Sequence, residues 1–293
     1  GRRVMAVSEL SYNEKGQRLS LLHGNGTLTQ YQYDPDTFRL LQLRTSLSSE
    51  AVSPPSVPPN LSDLNVLQNL SYTYDPIGNI TEIEDDAYEP VFFSNQQIDP
   101  KSSYTYDALY RLIEATGREN MRFDDAPEAE ELAPLSTHFP KSDQTLRNYT
   151  QTYSYDAVGN ILEMRHRAGT GTQSERWTRH YEYALDSNRL LRTRKGSDLL
   201  NTINYSYDAH GNMRNYNRAP EEYLPRWDYR DMVYYLSLGG GGTAYYQYDD
   251  QRIRSRKRIE RNGGQVEERL YLGGMELYKR YESGNLVEEI ETH

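Results

Sequence analysis

The nine residues Tyr153-Ser-Tyr155-Asp156-Ala-Val-Gly159-Asn160-Ile161 return along the chain at intervals that constrain the fold more than any other feature. Tyr72-Thr-Tyr74-Asp75-Pro-Ile-Gly78-Asn79-Ile80 and Tyr205-Ser-Tyr207-Asp208-Ala-His-Gly211-Asn212-Met213 repeat them almost letter for letter. Looser copies begin at Tyr31-Gln-Tyr33-Asp34, Tyr104-Thr-Tyr106-Asp107, Tyr181-Glu-Tyr183-Ala184 and Tyr246-Gln-Tyr248-Asp249, with frayed ones at Leu10 and Trp227. Residues two apart on a strand share a face, so the paired tyrosines stand side by side. The aspartate that follows reaches backbone amides two residues on, and Gly-Asn accepts the positive φ of a tight reversal. Each copy therefore reads as strand, turn, strand.

Successive second tyrosines lie 21 residues apart from Tyr12 to Tyr33, then 28, 24, 22 and 19 apart from Tyr155 through Tyr183, Tyr207, Tyr229 and Tyr248. Such a period predicts an all-β array of antiparallel hairpins over residues 1–293, each packing on its neighbours. The intervals of 41 residues (Tyr33 to Tyr74) and 49 (Tyr106 to Tyr155) carry insertions: a proline-rich one at 46–70 and an acidic one at 122–150. In the first, Pro54, Pro55, Pro58 and Pro59 bar a ladder, and Leu61 to Leu70 has the spacing of one or two helical turns.

Tyrosine dominates the aromatic residues, 27 against 5 Phe and 2 Trp, in a chain whose mean hydropathy is -0.90. Burial must come from tyrosine bodies, each keeping a hydroxyl for water or a neighbour. A net charge of -10 argues against nucleic acid, which binds through a basic footprint. With no cysteine there is no disulfide and no thiolate metal site, and no run approaches the roughly 18 apolar residues of a membrane helix. The opening Gly1-Arg2-Arg3 has no apolar stretch behind it, so it reads as no signal peptide and the chain as a section of a longer one.

No residue is assigned to catalysis, a cofactor or a metal. The histidines at 23, 138, 166, 180, 210 and 293 lack metal-ligand spacing, and His210 stands in a turn where other copies have Ile77 or Val158. Glu82, Glu84, Asp85 and Asp86 form an acidic cluster, read either as a calcium loop or as a solvated turn; the glycine and spacing of an EF-hand are missing. Gly239 to Gly242 lack the Lys-Ser/Thr of a phosphate loop. Arg252, Arg254, Arg256 and Arg258 form a strand-spaced stripe, either an anion ridge or an outward face paired with Glu267 and Glu268 across the Asn262-Gly-Gly turn. Asp75, Asp107, Asp156, Asp208 and Asp249 offer carboxylates for a hydrolase, yet turn capping explains all five at once and a catalytic pair only two. Asp34-Pro35, Asp75-Pro76 and Asp99-Pro100 read as turns rather than cleavage sites.

The motif Tyr-x-Tyr-Asp-x-x-Gly-Asn, spread from Leu10 to Tyr281, resembles that of the Rhs or YD-repeat family. Tyr104-Thr-Tyr-Asp-Ala-Leu-Tyr-Arg-Leu-Ile-Glu-Ala-Thr-Gly-Arg118, Trp227-Asp-Tyr-Arg-Asp231 and Tyr271-Leu-Gly-Gly-Met-Glu276 are similar to the repeat region of insecticidal Tc toxin complexes, in their B and C components. The resemblance implies a continuous sheet spiralling into a hollow shell around a toxin segment, secreted by a bacterium. The implied partners are the rest of the same polypeptide, its cargo and other toxin-complex subunits. The family's self-cleaving core and toxin segment match no residue here, so a non-catalytic stretch of wall is expected. The alternative is a carbohydrate-binding module, with tyrosine rows as platforms on a cell surface. Open sheet edges would also let copies of an isolated section pair.

Overall fold

A computed structural model of the chain describes residues 6–47, 65–93, 95–120, 146–169, 175–197, 202–214, 225–238 and 241–292. The centres of both insertions, 48–64 and 121–145, lie outside these, as do Gly239 and Gly240. The described residues form strands and turns with no α-helix, and none of their segments is a helix long and apolar enough to cross a membrane. The chain divides into two compact units, Gly1–His180 and Tyr181–His293.

In the first unit the strands are β1 (Val7–Tyr12), β2 (Arg18–His23), β3 (Thr27–Tyr33), β4 (Leu40–Leu47), β5 (Val66–Tyr74) and β6 (Ile80–Asp85). The short pair β7 (Val91–Phe93) and β8 (Gln96–Ile98) stands apart, and β9 (Lys101–Tyr106) pairs directly with β6. Next come β10 (Leu112–Asn120), β11 (Leu146–Tyr155), β12 (Ile161–Ala168) and β13 (Glu175–Tyr183), which carries the chain across the boundary. In the second unit β14 (Leu190–Lys195) pairs with β15 (Thr202–Asn204). A separate seven-stranded sheet follows in sequence order: β16 (Arg226–Trp227), β17 (Val233–Ser237), β18 (Thr243–Tyr248), β19 (Arg254–Glu260), β20 (Gln265–Leu272), β21 (Met275–Glu282) and β22 (Asn285–Thr292). Every ladder read in either unit is antiparallel, as hairpins in chain order require.

The helical turns expected at Leu61 to Leu70 are corrected where the chain is described. Val66 to Leu70 belong to β5, with Leu70 opposite Leu43 on one side and Asp85 on the other. Two flanking ladders supply the backbone with hydrogen bonds that a lone turn of helix at this site would forgo, and this overrides local spacing.

Register sorts the side chains onto two faces. On one, Tyr104, Ala115, Gln151, His166 and Trp177 face one another across five successive strands. On the other lie Ser103, Thr116, Thr150 and Arg167. Only six hydrophobic residues among those described are buried: Leu28, Ile98, Ala115, Ala168, Ile203 and Ala244. The tyrosines that precede the turn aspartates from Asp75 to Asp249 are half-buried, whereas Tyr12, Tyr110 and Tyr229 are exposed. Lateral ties between hairpins must therefore carry what a core carries elsewhere.

One irregularity recurs. Thr73 pairs with Glu82 but Tyr74 pairs with Ile80, leaving Thr81 as an extra residue. Leu41, Leu162 and Ser255 are bulged in the same way, opposite Tyr33, Tyr155 and Tyr248. The bulge always falls one residue into the return strand, beside the second tyrosine.

Candidate functional site: the repeat turn and its lateral ties

The turn is closed by its aspartate. Asp75 Oδ1 accepts hydrogen bonds from the amides of Ile77, Gly78 and Asn79 at 3.0, 2.7 and 2.9 Å, and its Oδ2 accepts one from the Asn79 side chain at 2.7 Å. Asp156 and Asp208 repeat the pattern with Asn160 and Asn212. Asp107 does so with Arg111, whose guanidinium replaces the asparagine amide at 2.7 Å. Asp249 accepts from the amides of Gln251 and Ile253. The Asn79 amide and the three backbone donors hold the Asp75 carboxyl below the usual carboxylate range. The Arg111 backbone amide is the largest contributor at Asp107. At Asp156 and Asp208 loss of solvent opposes ionisation, and the bonds led by Asn160 and Asn212 outweigh it.

In six of the turns the residue three after the aspartate is left-handed. Gly78, Gly159 and Gly211 have φ of 118°, 100° and 90°, which glycine adopts without strain. In the other copies Tyr110, Asp231 and Arg252 are held at 61°, 62° and 65°, where a side chain is costly.

The second tyrosine reaches out of its own hairpin. Tyr74 donates its hydroxyl to the Leu40 carbonyl at 2.7 Å, Tyr106 to Ile80 at 2.8 Å and Tyr155 to Leu112 at 2.6 Å. Tyr207 does so to Leu190 at 2.7 Å, and Tyr248 to Val233 at 2.9 Å. Trp227, not Tyr229, takes the place of the second tyrosine before the turn aspartate Asp228, which corrects the spacing counted through Tyr229, and it donates its indole N–H to Met213 at 2.9 Å. Each tyrosine's acceptor opens the return strand of the preceding repeat. The ladder joining one hairpin to the next stops short of it: β6 meets β9 only as far as Glu82 opposite Ser103, leaving the Ile80 carbonyl beyond. The aromatic donor satisfies a carbonyl that the backbone does not. Burial pushes the hydroxyls of Tyr74, Tyr106, Tyr155, Tyr207 and Tyr248 up from the usual phenolic value.

Arginines add a second tie at the turns themselves. Arg39 donates to the Asp75 and Pro76 carbonyls at 2.9 and 3.2 Å, Arg111 to Asp156 at 3.0 Å and Arg230 to Asp249 at 2.9 Å. Two of these guanidiniums face tyrosine rings of the next repeat, Arg39 5.6 Å from Tyr74 and Arg111 4.8 Å from Tyr155. Arg189 lies over Tyr207 at 5.9 Å and against Gly211, where an added Cβ would sit 3.2 Å from its Nη2.

The first tyrosines play a different part. Tyr72, Tyr153 and Tyr246 line the aromatic face; Tyr153 bonds Gln151 at 2.8 Å, and Tyr205 shares a 3.0 Å bond with Thr193. Burial foremost, then neighbouring Tyr74, Asp85, Tyr104 and Tyr31, raises the Tyr72 hydroxyl. Tyr104 stands in the same row.

The remaining motifs separate. In the acidic cluster Glu82 pairs with Lys101 at 2.5 Å and Asp85 accepts the Asn69 amide at 2.8 Å; among the described residues no three acidic or histidine side chains are grouped to hold a metal. The arginine stripe is corrected: the bulge at Ser255 puts Arg254 on the face of Tyr248 and Arg256 on the opposite face, and Arg252 lies in the turn. Arg256 pairs with Glu268, Arg258 with Glu260 and the adjoining Arg261 with Glu267, so acidic neighbours accompany this strand. Sequence reasoning missed His166, which is buried, stacked between Tyr149 (5.5 Å) and Trp177 (5.2 Å), and bonded to Glu119 at 2.9 Å. Arg147 pairs with the other Glu119 oxygen at 2.6 Å. No local spacing marks this group, since its members come from four strands, β10 to β13.

No protein-family model matches the chain. Over 299 residues, 99% of its length, it is 30% identical to toxin subunit YenC1 of Yersinia entomophaga, and over 288 residues 31% identical to YenC2. The chain is a relative of toxin subunits. It spans 28% of the length of each. Among solved structures it resembles part of the Tc holotoxin pore of Photorhabdus luminescens with a TM-score of 0.68 and 30% identity, over 97% of this chain and 12% of that one. The crystal structure of TcdB2-TccC3 matches with a TM-score of 0.67 and 29% identity, over 97% of this chain and 13% of that one. In sequence and fold the chain is thus similar to components of toxin complexes.

Proposed function

We propose that this chain is a section of the wall of an Rhs-type shell, secreted as part of a Tc toxin complex, that encloses a toxin segment and performs no catalysis in this section. The reading rests on the lateral ties: hairpin after hairpin hands an aromatic hydrogen bond to its predecessor in a sheet with almost no buried apolar core. Such a sheet grows by repetition, as an enclosing surface needs. Its carboxylates are engaged within their own turns, one per repeat, which supports capping over a hydrolytic pair. A carbohydrate platform is less well supported, because Tyr205 and Tyr207, the best candidates for sugar stacking, spend their hydroxyls on Thr193 and Leu190. The test is intact mass and limited proteolysis of the protein at its natural length. A downstream piece that is cut from the chain yet stays protease-protected and co-purifies supports the shell. A piece digested as fast as an exposed tail removes it.

A further inference from the structure

From Arg39 to Asn212 the residue that closes successive turns alternates in kind. Arg39, Arg111 and Arg189 end one set of turns; Asn79, Asn160 and Asn212 end those that come next. Each arginine reaches forward onto the following asparagine turn, at Asp75, Asp156 or Gly211. The division of labour is physical. Asn79 and Asn160 spend their amides on the carboxylates of their own aspartates. The backbone carbonyl of that same aspartate is then the acceptor for the arginine behind. Arg230 reaches the Asp249 carbonyl in the same sense. The asparagine turns at 75–79, 156–160 and 208–212 contain no arginine to pass forward.

We propose that the hairpins act in pairs, an arginine turn clasped to the turn that follows it, and that the sheet yields at the seams between pairs. The backbone ladder ends at one of those seams, between the Asp208 turn and the Asp228 turn, where β15 and β16 share no ladder among the described residues. Side chains close that seam instead. Trp227 bonds the Met213 carbonyl, while Asn212 (2.8 Å) and His210 (2.9 Å) converge on one carboxylate, Asp231. Asp231 and His210 are both well exposed, so water competes for these bonds more than for a ladder. The Asn13 and Asp34 turns meet through the Gln17 amide on the Phe38 carbonyl and the Lys15 ammonium over the Phe38 ring. The inference concerns how the sheet opens and stands whether or not it encloses a cargo.

Native-state hydrogen exchange on the full-length protein tests it, since cooperative units exchange as blocks. The hairpins of the Asp107 and Asp156 turns are expected to exchange as one block, distinct from the hairpin of the Asp75 turn. Arg111→Lys keeps the charge but cannot hold the Asp107 carboxylate and the Asp156 carbonyl together. It is expected to speed exchange of the Asp156 hairpin about tenfold and to leave the Asp75 hairpin unchanged. Asp231→Asn is expected to speed exchange on both sides of its seam, at residues 202–214 and 226–237, about tenfold, with the Asp249 hairpin unchanged. A single block running from the Asp75 turn through the Asp156 turn in the parent protein overturns the proposal. So does an Arg111→Lys effect that is absent or spreads equally into the Asp75 hairpin.

Discussion

Replacing Tyr155 by Phe removes one oxygen and leaves the ring in its row. The lost bond is the 2.6 Å contact with the Leu112 carbonyl, an acceptor that lies beyond the ladder to β11, which begins at Glu114 opposite Thr152. A hydrogen bond of this kind contributes about 1 kcal/mol net. The equivalent changes at Tyr74, Tyr106, Tyr207 and Tyr248 each remove one such bond. Because these sites belong to different repeats, their effects should add, so the fivefold variant is expected to lose about 5 kcal/mol, comparable to the whole stability of many domains. Tyr72→Phe and Tyr104→Phe serve as controls, since neither hydroxyl donates a hydrogen bond among the described residues. They should change stability by no more than about 0.5 kcal/mol. Urea unfolding of the single variants provides the assay, with the midpoint shifted and the slope unchanged. If Tyr155→Phe and Tyr207→Phe cost no more than Tyr72→Phe and Tyr104→Phe, the second tyrosines hold the sheet by ring packing alone and the tie is refuted.

Stability should show a plateau bounded at both ends of the pH scale, measured by urea midpoints in buffers of matched ionic strength. The second tyrosines have raised hydroxyls, so their contribution is full below about pH 10 and is lost as pH climbs through the higher folded value. The turn aspartates are lowered, so theirs is present above about pH 4 and is lost as pH falls through the lower folded value. Tyr110→Gly should raise stability by about 1 kcal/mol by relieving a left-handed residue whose ring is half exposed; a lower thermal midpoint would contradict this. Gly78→Ala should be more damaging than Gly159→Ala in a thermal melt. Both carry positive φ, but an added Cβ at 78 comes within 3.0 Å of the Arg39 guanidinium whereas at 159 it meets nothing within 4 Å.

Much of the turn was legible because its interactions are local. Asp75 bonds groups two to four residues away, so composition and order alone specify the loop. The alternation of tyrosine and small polar residues likewise announced strands with one aromatic face. Leu61 to Leu70 misled because an apolar spacing on one segment does not reveal which ladders will flank it. The bulge beside each second tyrosine was equally hidden, being a mismatch between two strands rather than a property of either. His166 went unseen because its partners Glu119, Tyr149 and Trp177 meet it only once β10 to β13 are in register.

The chain's own letters therefore determine the hairpin, its turn and its period, since these depend on φ preferences and on bonds that span a few residues. Which hairpin each tyrosine ties to was decided only by the assembled sheet. Tyr155 finds its acceptor 43 residues back and Arg39 reaches 36 residues forward, distances that insertions of any length can separate in sequence. Antiparallel pairing removes that separation by placing successive turns at the same edge. A carbonyl left beyond the ladder then meets the one side chain long enough, and suitably polar at its tip, to satisfy it.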